Sequence, residues 1–209
     1  METPVIGLPF KGQCGSLDSP GHDRYAYDFV PSAPGKRRKY VKGSFLKALF
    51  LRVRVERFHG WSTPIVAPCD GIVKEVHDGW PDRIRIGLIR DAARMIFAPP
   101  KQIPNDIRPF AGNYIVIERE GMYIMIAHLR NGPAIVAEGQ AVEKGQMIGE
   151  VGNSGNSLMP HIHFQVMDAT NLPALKIIPF KADGYEVYDK GWKKVENDFV
   201  PKGELIRGG

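Results

Sequence analysis

The sequence predicts an all-β protein assembled from short antiparallel strands. Seventeen prolines and 23 glycines divide the 209 residues into short segments. Most of these segments alternate apolar with polar residues instead of repeating every three or four positions, which is typical of strands rather than helices. A chain of this length is expected to form one domain, residues 1–209, with a sizeable buried core.

Composition narrows the functional classes. The chain is 43% hydrophobic and 24% charged, which is ordinary for a soluble globular protein. No stretch approaches the roughly 20 apolar residues that cross a bilayer, and residues 1–10 lack the pattern of a signal peptide. The net charge of +5 favours anionic partners only weakly. Cys14 and Cys69 form no C-x-x-C motif, so we expect free thiols, with a disulfide in an oxidising compartment as the alternative.

Residues 113–118 and 122–128 predict the clearest hairpin of the sheet, because both runs alternate and a glycine turn joins them. Alternation on the second strand puts His128 on the same face as Ile124 and Ile126. At the end of such an apolar row, a histidine is either a satisfied residue at the edge of the core or a functional group.

Two segments, 31–57 and 78–111, are predicted insertions. The first contains a basic loop that is either a solvated face or a rim that attracts polyanions, and its cations are Lys36, Arg37, Arg38, Lys39 and Lys42. Residues 44–57 fit both a short capped helix and an alternating strand. The second segment is proline-rich and expected to be irregular apart from an alternating run at 83–86, as an insertion near a functional edge or a flexible flap. Residues 181–209 predict a hairpin whose tail frays at its two last glycines.

The segment from Glu150 to Met167 contains the strongest functional signal. Its last part alternates, so His161, His163 and Gln165 share one face of a strand and the intervening apolar residues face the core. Two histidines on one polar face can share an ion, or supply one ligand and one proton shuttle; two unrelated surface histidines are the alternative. The turn before them contains two glycines, at 152 and 155, which are free to adopt positive φ.

A second signal is the acidic residue Asp28 in the β-prone run Tyr25–Val30. A carboxylate flanked by apolar residues must be paired or bound to a cation, unless it lies in solvent at a strand edge. His22 lies three positions before Tyr25, the first residue of this run.

Four of the six histidines fall at predicted strand ends or beside glycine turns, together with Asp28; they are His22, His128, His161 and His163. Imidazole and carboxylate ligands together suit zinc, which in catalytic sites takes three protein ligands and leaves one position open. The two remaining histidines would then be free to move a proton and to stabilise an oxyanion, as amide hydrolysis requires.

The sequence resembles the lysostaphin-type (LytM-like) zinc metalloendopeptidases, which cut peptide bonds in bacterial cell-wall peptidoglycan. The resemblance depends on separated motifs that occur in the family's order: His22 followed by Asp28-Phe29, Pro64-Ile65-Val66-Ala67-Pro68 with Gly71, Ala127-His128-Leu129, the turn Gly149 to Gly155, and His161-Ile162-His163-Phe164.

The resemblance implies a small antiparallel β-domain, of a duplicated hybrid-motif or barrel-sandwich-like type, with a groove that holds one zinc ion. It implies His22, Asp28 and His163 as metal ligands, with His128 and His161 as catalytic residues that do not bind the metal. The family commonly places three residues between its first two ligands, whereas five separate His22 from Asp28 here. Asp23 is an alternative, but an immediate neighbour in an extended chain points away from His22.

The implied substrate is a peptidoglycan peptide and the implied location is the cell envelope or the extracellular space. One alternative is a catalytically silent relative that binds and regulates wall hydrolases. Another is a carrier or phosphocarrier module, although the corresponding turn, Gly-Asn-Ser-Gly, lacks the lysine that a lipoyl or biotinyl carrier needs. Nucleic acid is not an expected partner, because no basic strand with interleaved aromatic residues accompanies the basic loop. The bond that is cut and the oligomeric state stay open.

Overall fold

Strands dominate the computed structural model, which describes residues 2–19, 22–35, 38–103, 106–132, 135–170 and 175–209. Two cations of the predicted basic loop, Lys36 and Arg37, lie outside the described residues.

The strands of the described chain are β1 Val5–Ile6, β2 Gly12–Leu17, β3 Tyr27–Pro31, β4 Val53–Arg54, β5 Pro64–Val66, β6 Gly71–His77, β7 Arg85–Ile86, β8 Asn113–Arg119, β9 Met122–Leu129, β10 Ala141–Val142, β11 Met147–Glu150, β12 Ile162–Met167, β13 Ile177–Ile178, β14 Lys181–Ala182, β15 Tyr185–Tyr188, β16 Trp192–Val195 and β17 Leu205–Gly208. The helices are α1 Phe45–Phe50, α2 Leu88–Phe97 and α3 Arg108–Ala111, with a 3-10 turn at Val55–Arg57.

One large antiparallel sheet organises the molecule. Its strands follow the order β10-β6-β8-β9-β12-β3-β2-β17-β15-β16, and β13 pairs with β12. The sheet begins at β10 and ends at β16 within the described residues, so it is open rather than closed into a barrel. The predicted all-β, antiparallel class is confirmed, as is the hairpin of β8 and β9.

The two faces of this sheet have different roles. Alternate residues of β8, β9 and β12 pack inward with the small β5–β11 sheet to form the main core, which includes Ile65, Ile126, Ile148 and Phe164. The other face carries a smaller apolar cluster around Tyr114, Val116, Met125, Ala127 and Met167. Because the main core covers one face only, His163 of β12 can project from the other.

The segments predicted as insertions contain a helical part with a core of its own. Ser44 caps α1 by accepting the Lys47 N–H, and the chain then continues into β4, so each of the two alternatives for residues 44–57 is correct for part of it. The expectation of an irregular segment at 78–111 is wrong, since α2 is a ten-residue helix. The separate core of this helical part consists of Val41, Ala48, Val55, Phe58, Ile86 and Leu88.

The C-terminal region forms the predicted hairpin, β15 with β16. The expected fraying of the tail is wrong for Gly208, which is buried and pairs with Gly12 across β17 and β2. Cys14 and Cys69 are buried free thiols. None of the described helices combines the length and apolar character that crossing a membrane requires.

Candidate metal and catalytic site

Three neighbouring strands bring the predicted site residues together. In β12, His163 lies directly opposite Asp28 of β3 on one side and opposite Ala127 of β9 on the other. Directly opposed residues of antiparallel strands have Cβ atoms about 5 Å apart, so sheet pairing alone puts the His163 imidazole beside the Asp28 carboxylate. Only local alternation in each strand is needed for both to project from the outer face.

His128 reaches the same face through a β-bulge. Tyr114 pairs with Ala127 and Asn113 with Leu129, so His128 is an extra residue without an opposite partner, and its φ is 62°. A bulge turns a side chain away from the face that alternation dictates. The expectation that His128 shares the face of Ile126 is therefore wrong. Its ring centroid lies 6.0 Å from that of His163, on the outer side of the sheet.

Asp28 is the carboxylate around which the imidazoles gather, and it is only 5% exposed. Its Oδ1 lies 3.0 Å from His163 Nδ1 and 3.4 Å from His161 Nε2. Its Oδ2 lies 3.3 Å from His22 Nδ1 and accepts a hydrogen bond from the Ser19 hydroxyl. The sequence-based expectation that this carboxylate must be paired is thus confirmed.

A turn accommodates the spacing between His22 and Asp28, which is two residues longer than is common in the family that the sequence resembles. The carboxylate of Asp23 accepts the Tyr25 N–H, and the Ala26 N–H bonds to the Asp23 carbonyl, which folds the chain back before β3 begins. Ligand atoms of His22, Asp28 and His163 all lie within 4.8 Å of one another. Asp28 rather than Asp23 therefore faces the other two side chains.

Gln165 orients His163 from the same face of β12. The amide oxygen of Gln165 lies 3.0 Å from His163 Nε2, and its amide nitrogen faces the Met167 sulfur at 3.0 Å. An amide oxygen only accepts, so Nε2 of His163 carries the proton. Nδ1 is then the nitrogen that can bind a cation once its own proton is lost. The sequence placed Gln165 on this face without a role; its two-residue spacing from His163 was the available signal.

The other two histidines are held by backbone carbonyls. His128 Nδ1 lies 2.9 Å from the Ser154 carbonyl, and His161 Nδ1 lies 2.8 Å from the Met159 carbonyl and 3.0 Å from the Ser157 hydroxyl. Because a carbonyl oxygen only accepts, both rings carry a hydrogen on Nδ1. In neutral His128 the lone pair is therefore on Nε2. The ring centroids of His128 and His161 are 4.6 Å apart.

Burial and the single carboxylate set the proton affinities. Burial lowers the pKa of His161, but the charge of Asp28 and a hydrogen bond to it outweigh burial and raise that pKa above its usual value. Burial raises the pKa of Asp28, but the charges of His161 and His163 and their hydrogen bonds hold it well below the usual range. Burial lowers the pKa of His22 more than Asp28 raises it. Burial and the two nearby imidazoles lower the pKa of His128 well below normal.

We expect Asp28→Asn to lower the pKa of His161 in the metal-free protein, because burial then acts without the carboxylate charge. In the parent protein the raised pKa stabilises the fold fully below pH about 6.5, and this contribution is lost as pH rises through the folded pKa. A pH titration followed by imidazole NMR signals measures the change. Asp23→Asn is the matched control, and an unaltered His161 titration in Asp28→Asn would contradict this electrostatic pairing.

The site lies at the bottom of a groove. One cavity of about 290 Å³ is lined by His22, His128, His163 and Gln165. A second cavity of about 180 Å³ adjoins His22, Asp28, His128 and His161. Met95 of α2 lines both cavities, so the helix missed from sequence supplies a wall of the groove.

Helix α2 is fixed against the turn that precedes the H-x-H motif. Arg94 donates to the Asn156 side chain at 3.3 Å. Asp91 accepts the N–H of the N-cap residue Gly87 and pairs with Arg83. The Arg83 N–H also donates to the Asn153 carbonyl, which anchors the chain before the helix. The helix therefore has a defined position beside the site.

Two glycines of the turn have different reasons for being glycine. Gly155 has a positive φ of 64°, and a Cβ there would overlap the backbone of Gly112, which itself has φ 65°. The Asn156 N–H bonds to the Phe110 carbonyl at 2.8 Å, which holds this contact together. Gly152 does not use the freedom to adopt positive φ, but a Cβ there would collide with the backbone of Arg130. Both glycines permit close backbone approach.

The protein is thus a β-protein with an open sheet. Beside the outer face of this sheet, two histidines and one carboxylate, His22, His163 and Asp28, form a candidate metal centre of the kind that hydrolases use. Residues 58–173, more than half of the chain, match the model of peptidase family M23. The chain belongs to peptidase family M23. The sequence-based recognition of a lysostaphin-type family is confirmed, and the N-terminal part with His22 and Asp28 lies outside the matched range.

Individual relatives match over limited lengths. The peptidoglycan DD-endopeptidase ShyA of Vibrio cholerae is 41% identical over 59 residues, which are 28% of this chain and 14% of that protein. Among solved structures, the catalytic domain of the antimicrobial peptidase lysostaphin from Staphylococcus simulans is 18% identical, with a TM-score of 0.41 and coverage of 83% of this chain and 88% of that one. A zinc-containing peptidase from Vibrio cholerae is 21% identical, with a TM-score of 0.38 and coverage of 82% and 40%.

Proposed function

We propose that the protein is a zinc-dependent endopeptidase that hydrolyses peptide bonds of bacterial peptidoglycan in the cell envelope. The observation that carries this proposal is the convergence of His22, Asp28 and His163 to within 4.8 Å on the outer face of the sheet. Membership of family M23 and the match to a peptidoglycan DD-endopeptidase support the substrate class.

The donor set fits zinc. Tetrahedral ligands at about 2.1 Å from one ion are about 3.4 Å from each other. His22 Nδ1 lies 3.3 Å from Asp28 Oδ2, and His163 Nδ1 lies 3.0 Å from Asp28 Oδ1, so each imidazole is at about this separation from one oxygen of the carboxylate. Two imidazole nitrogens and one carboxylate oxygen are ligands that zinc takes in catalytic sites. The hydrogen bond from His163 Nε2 to Gln165 supplies the orientation that a ligand histidine needs.

The remaining histidines have complementary hydrogen-bond capacity. When bound, zinc would supply Lewis-acid polarisation of the scissile carbonyl and would lower the pKa of a water molecule. His128, with its hydrogen on Nδ1 fixed by Ser154, can orient that water and accept its proton at Nε2. His161 can hold a proton at Nε2, from which it can donate to a developing oxyanion or to the leaving amine. Apolar walls such as Met95 limit access of bulk water to these rings.

Product analysis tests the proposed reaction. Zinc-loaded protein is incubated with purified cell-wall sacculi, and the released fragments are identified by mass spectrometry. We expect fragments with newly formed peptide termini, and none from the matched His163→Ala variant. Intact sacculi in the presence of protein with one equivalent of zinc would contradict hydrolysis and favour the catalytically silent alternative.

We expect Gln165→Ala to weaken zinc binding by about 10–100-fold, because loss of a partner that orients a ligand histidine typically has that effect. Gln165→Glu keeps an acceptor oxygen for His163 Nε2 and should restore most of the affinity. Competition against a chromophoric chelator measures zinc binding without depending on hydrolysis.

Gln102→Ala, at an exposed glutamine outside the site, is the matched control for that measurement. Parent-like affinity in Gln165→Ala, or no recovery in Gln165→Glu, would contradict a positioning role for this amide.

A further inference from the structure

The helical sub-structure, residues 38–58 and 83–103, concentrates positive charge. These residues contain twelve Lys or Arg and two Asp or Glu, a formal charge of +10, whereas the whole chain has +5. The rest of the chain therefore has a net charge of −5. Both acidic residues are already paired, Glu56 with Arg54, and Asp91 with Arg83 and Arg94. The other nine cations have no carboxylate partner among the described residues.

The same sub-structure also concentrates exposed apolar surface. Of the fourteen large apolar side chains that are exposed in the described ranges, nine belong to it: Phe45, Leu46, Phe50, Leu51, Ile84, Ile89, Ile96, Phe97 and Ile103. Phe97 is 84% exposed and Ile96 is 71% exposed. Exposed apolar side chains that are grouped in one part of a protein indicate an interaction site more strongly than the same side chains scattered singly.

Helical spacing aligns these side chains. In α2, Ile89 and Ile96 are seven residues apart and therefore lie on one side of the helix, while Leu88 and Met95 lie on the side that faces the protein. In α1, the exposed Leu46 and Phe50 are four residues apart and share a side in the same way. The two helices are in contact with each other. Both helices thus have apolar side chains outside the core of the sub-structure, in addition to those that this core buries.

We propose that the helical sub-structure docks onto the surface of a bilayer that contains anionic phospholipid. Amphipathic helices with apolar side chains on one face and flanking Lys or Arg bind at the bilayer interface, by burial of the former and by attraction of the latter to anionic headgroups. The two components of the surface, charge and apolar area, match this one partner. A soluble polyanion such as nucleic acid would match the cations but would leave the exposed Phe, Ile and Leu side chains in water.

Docking through the helical sub-structure would hold the candidate site near the membrane. Leu158 and Met159, which precede the H-x-H motif, pack against the core of the sub-structure. Met95 of the same helix α2 lines the groove. The surface that binds lipid and the groove therefore belong to one connected part of the molecule, although the proposal does not depend on the site being catalytic.

Co-sedimentation of the full chain with vesicles tests the proposal. We expect binding to vesicles of phosphatidylglycerol mixed with phosphatidylcholine, little binding to phosphatidylcholine alone, and weaker binding as salt is raised. The double substitution Ile96→Gln with Phe97→Gln should lower the partition coefficient about tenfold or more. Arg90→Gln should lower it about fivefold. Ile72→Gln, at an exposed isoleucine of β6 outside the sub-structure, is the matched control and should bind like the parent.

The outcomes separate this inference from the proposed hydrolase. His163→Ala should bind vesicles like the parent protein, whatever its effect on zinc and on sacculi. Circular dichroism of each variant checks that the fold is intact, so that a loss of binding reports on the surface. Three results would overturn the proposal: no binding to the anionic vesicles at low salt, full binding by the Ile96→Gln, Phe97→Gln variant, or a concentration-dependent dimer of the parent that this variant abolishes.

Discussion

Asp28→Ala is expected to abolish stoichiometric zinc binding, because this carboxylate faces three of the four imidazoles of the cluster. Its oxygens lie within 3.4 Å of His22, His161 and His163. Without it, zinc would have two imidazoles instead of three ligands, and no negative charge would offset the desolvation of the ion. Zinc content after dialysis, measured by elemental analysis, checks the result. His163→Ala is expected to lose zinc in the same way.

Asp23→Ala is the matched control, because Asp23 is the other acidic residue close to His22 in sequence. Its carboxylate accepts the Tyr25 N–H, and we expect that variant to retain one equivalent of zinc. His77→Ala, at a histidine that stacks on Tyr114 outside the cluster, controls for loss of an imidazole in general. Full metal occupancy in Asp28→Ala or in His163→Ala would show that the ligand assignment is wrong.

His128→Ala is expected to retain zinc and to lose hydrolysis by roughly 10²–10⁴-fold, the usual contribution of a positioned acid or base. The reason is that His128 lines the groove but is not among the three residues whose ligand atoms converge. Zinc content and the initial rate of fragment release from sacculi are measured on the same preparation.

The backbone at this position requires a second variant. His128 has φ 62°, and alanine in the left-handed region costs roughly 1–2 kcal/mol, whereas asparagine tolerates it better. We therefore expect His128→Asn to be as inactive as His128→Ala but more stable to urea. Turnover at the parent rate in either variant would remove His128 from the mechanism.

Local features of the site were predictable because each depends on a few neighbouring residues. Alternation in the last strand of the motif was enough to put His161, His163 and Gln165 on one face. The demand that a carboxylate among apolar residues be paired was enough to single out Asp28. That these groups meet required the pairing of β12 with β3, which no local pattern specifies; family resemblance supplied it.

Errors arose where tertiary structure overrides local pattern. The face of His128 is set by a bulge, whose extra residue shows only in the pairing of β9 with β8. The helix at 88–97 was not predicted because the surrounding prolines indicated an irregular segment. Leu88, Ala92 and Met95 nevertheless have helical spacing, and Asp91 can cap the first turn. Gly208 is ordered by a strand almost two hundred residues earlier in the chain.

The close backbone contact between Gly112 and Gly155 connects a wall of the groove with the group that holds His128. The Asn113 N–H donates to the Ser154 hydroxyl, and the Ser154 carbonyl lies 2.9 Å from His128 Nδ1, so Ser154 links the chain after α3 to the imidazole. Phe110 of α3 lines the groove. Because neither glycine has a side chain, the backbones of these two segments lie in direct contact, and a Cβ at either position would overlap the other segment. We therefore expect a larger residue at either glycine to move the Ser154 carbonyl that holds His128.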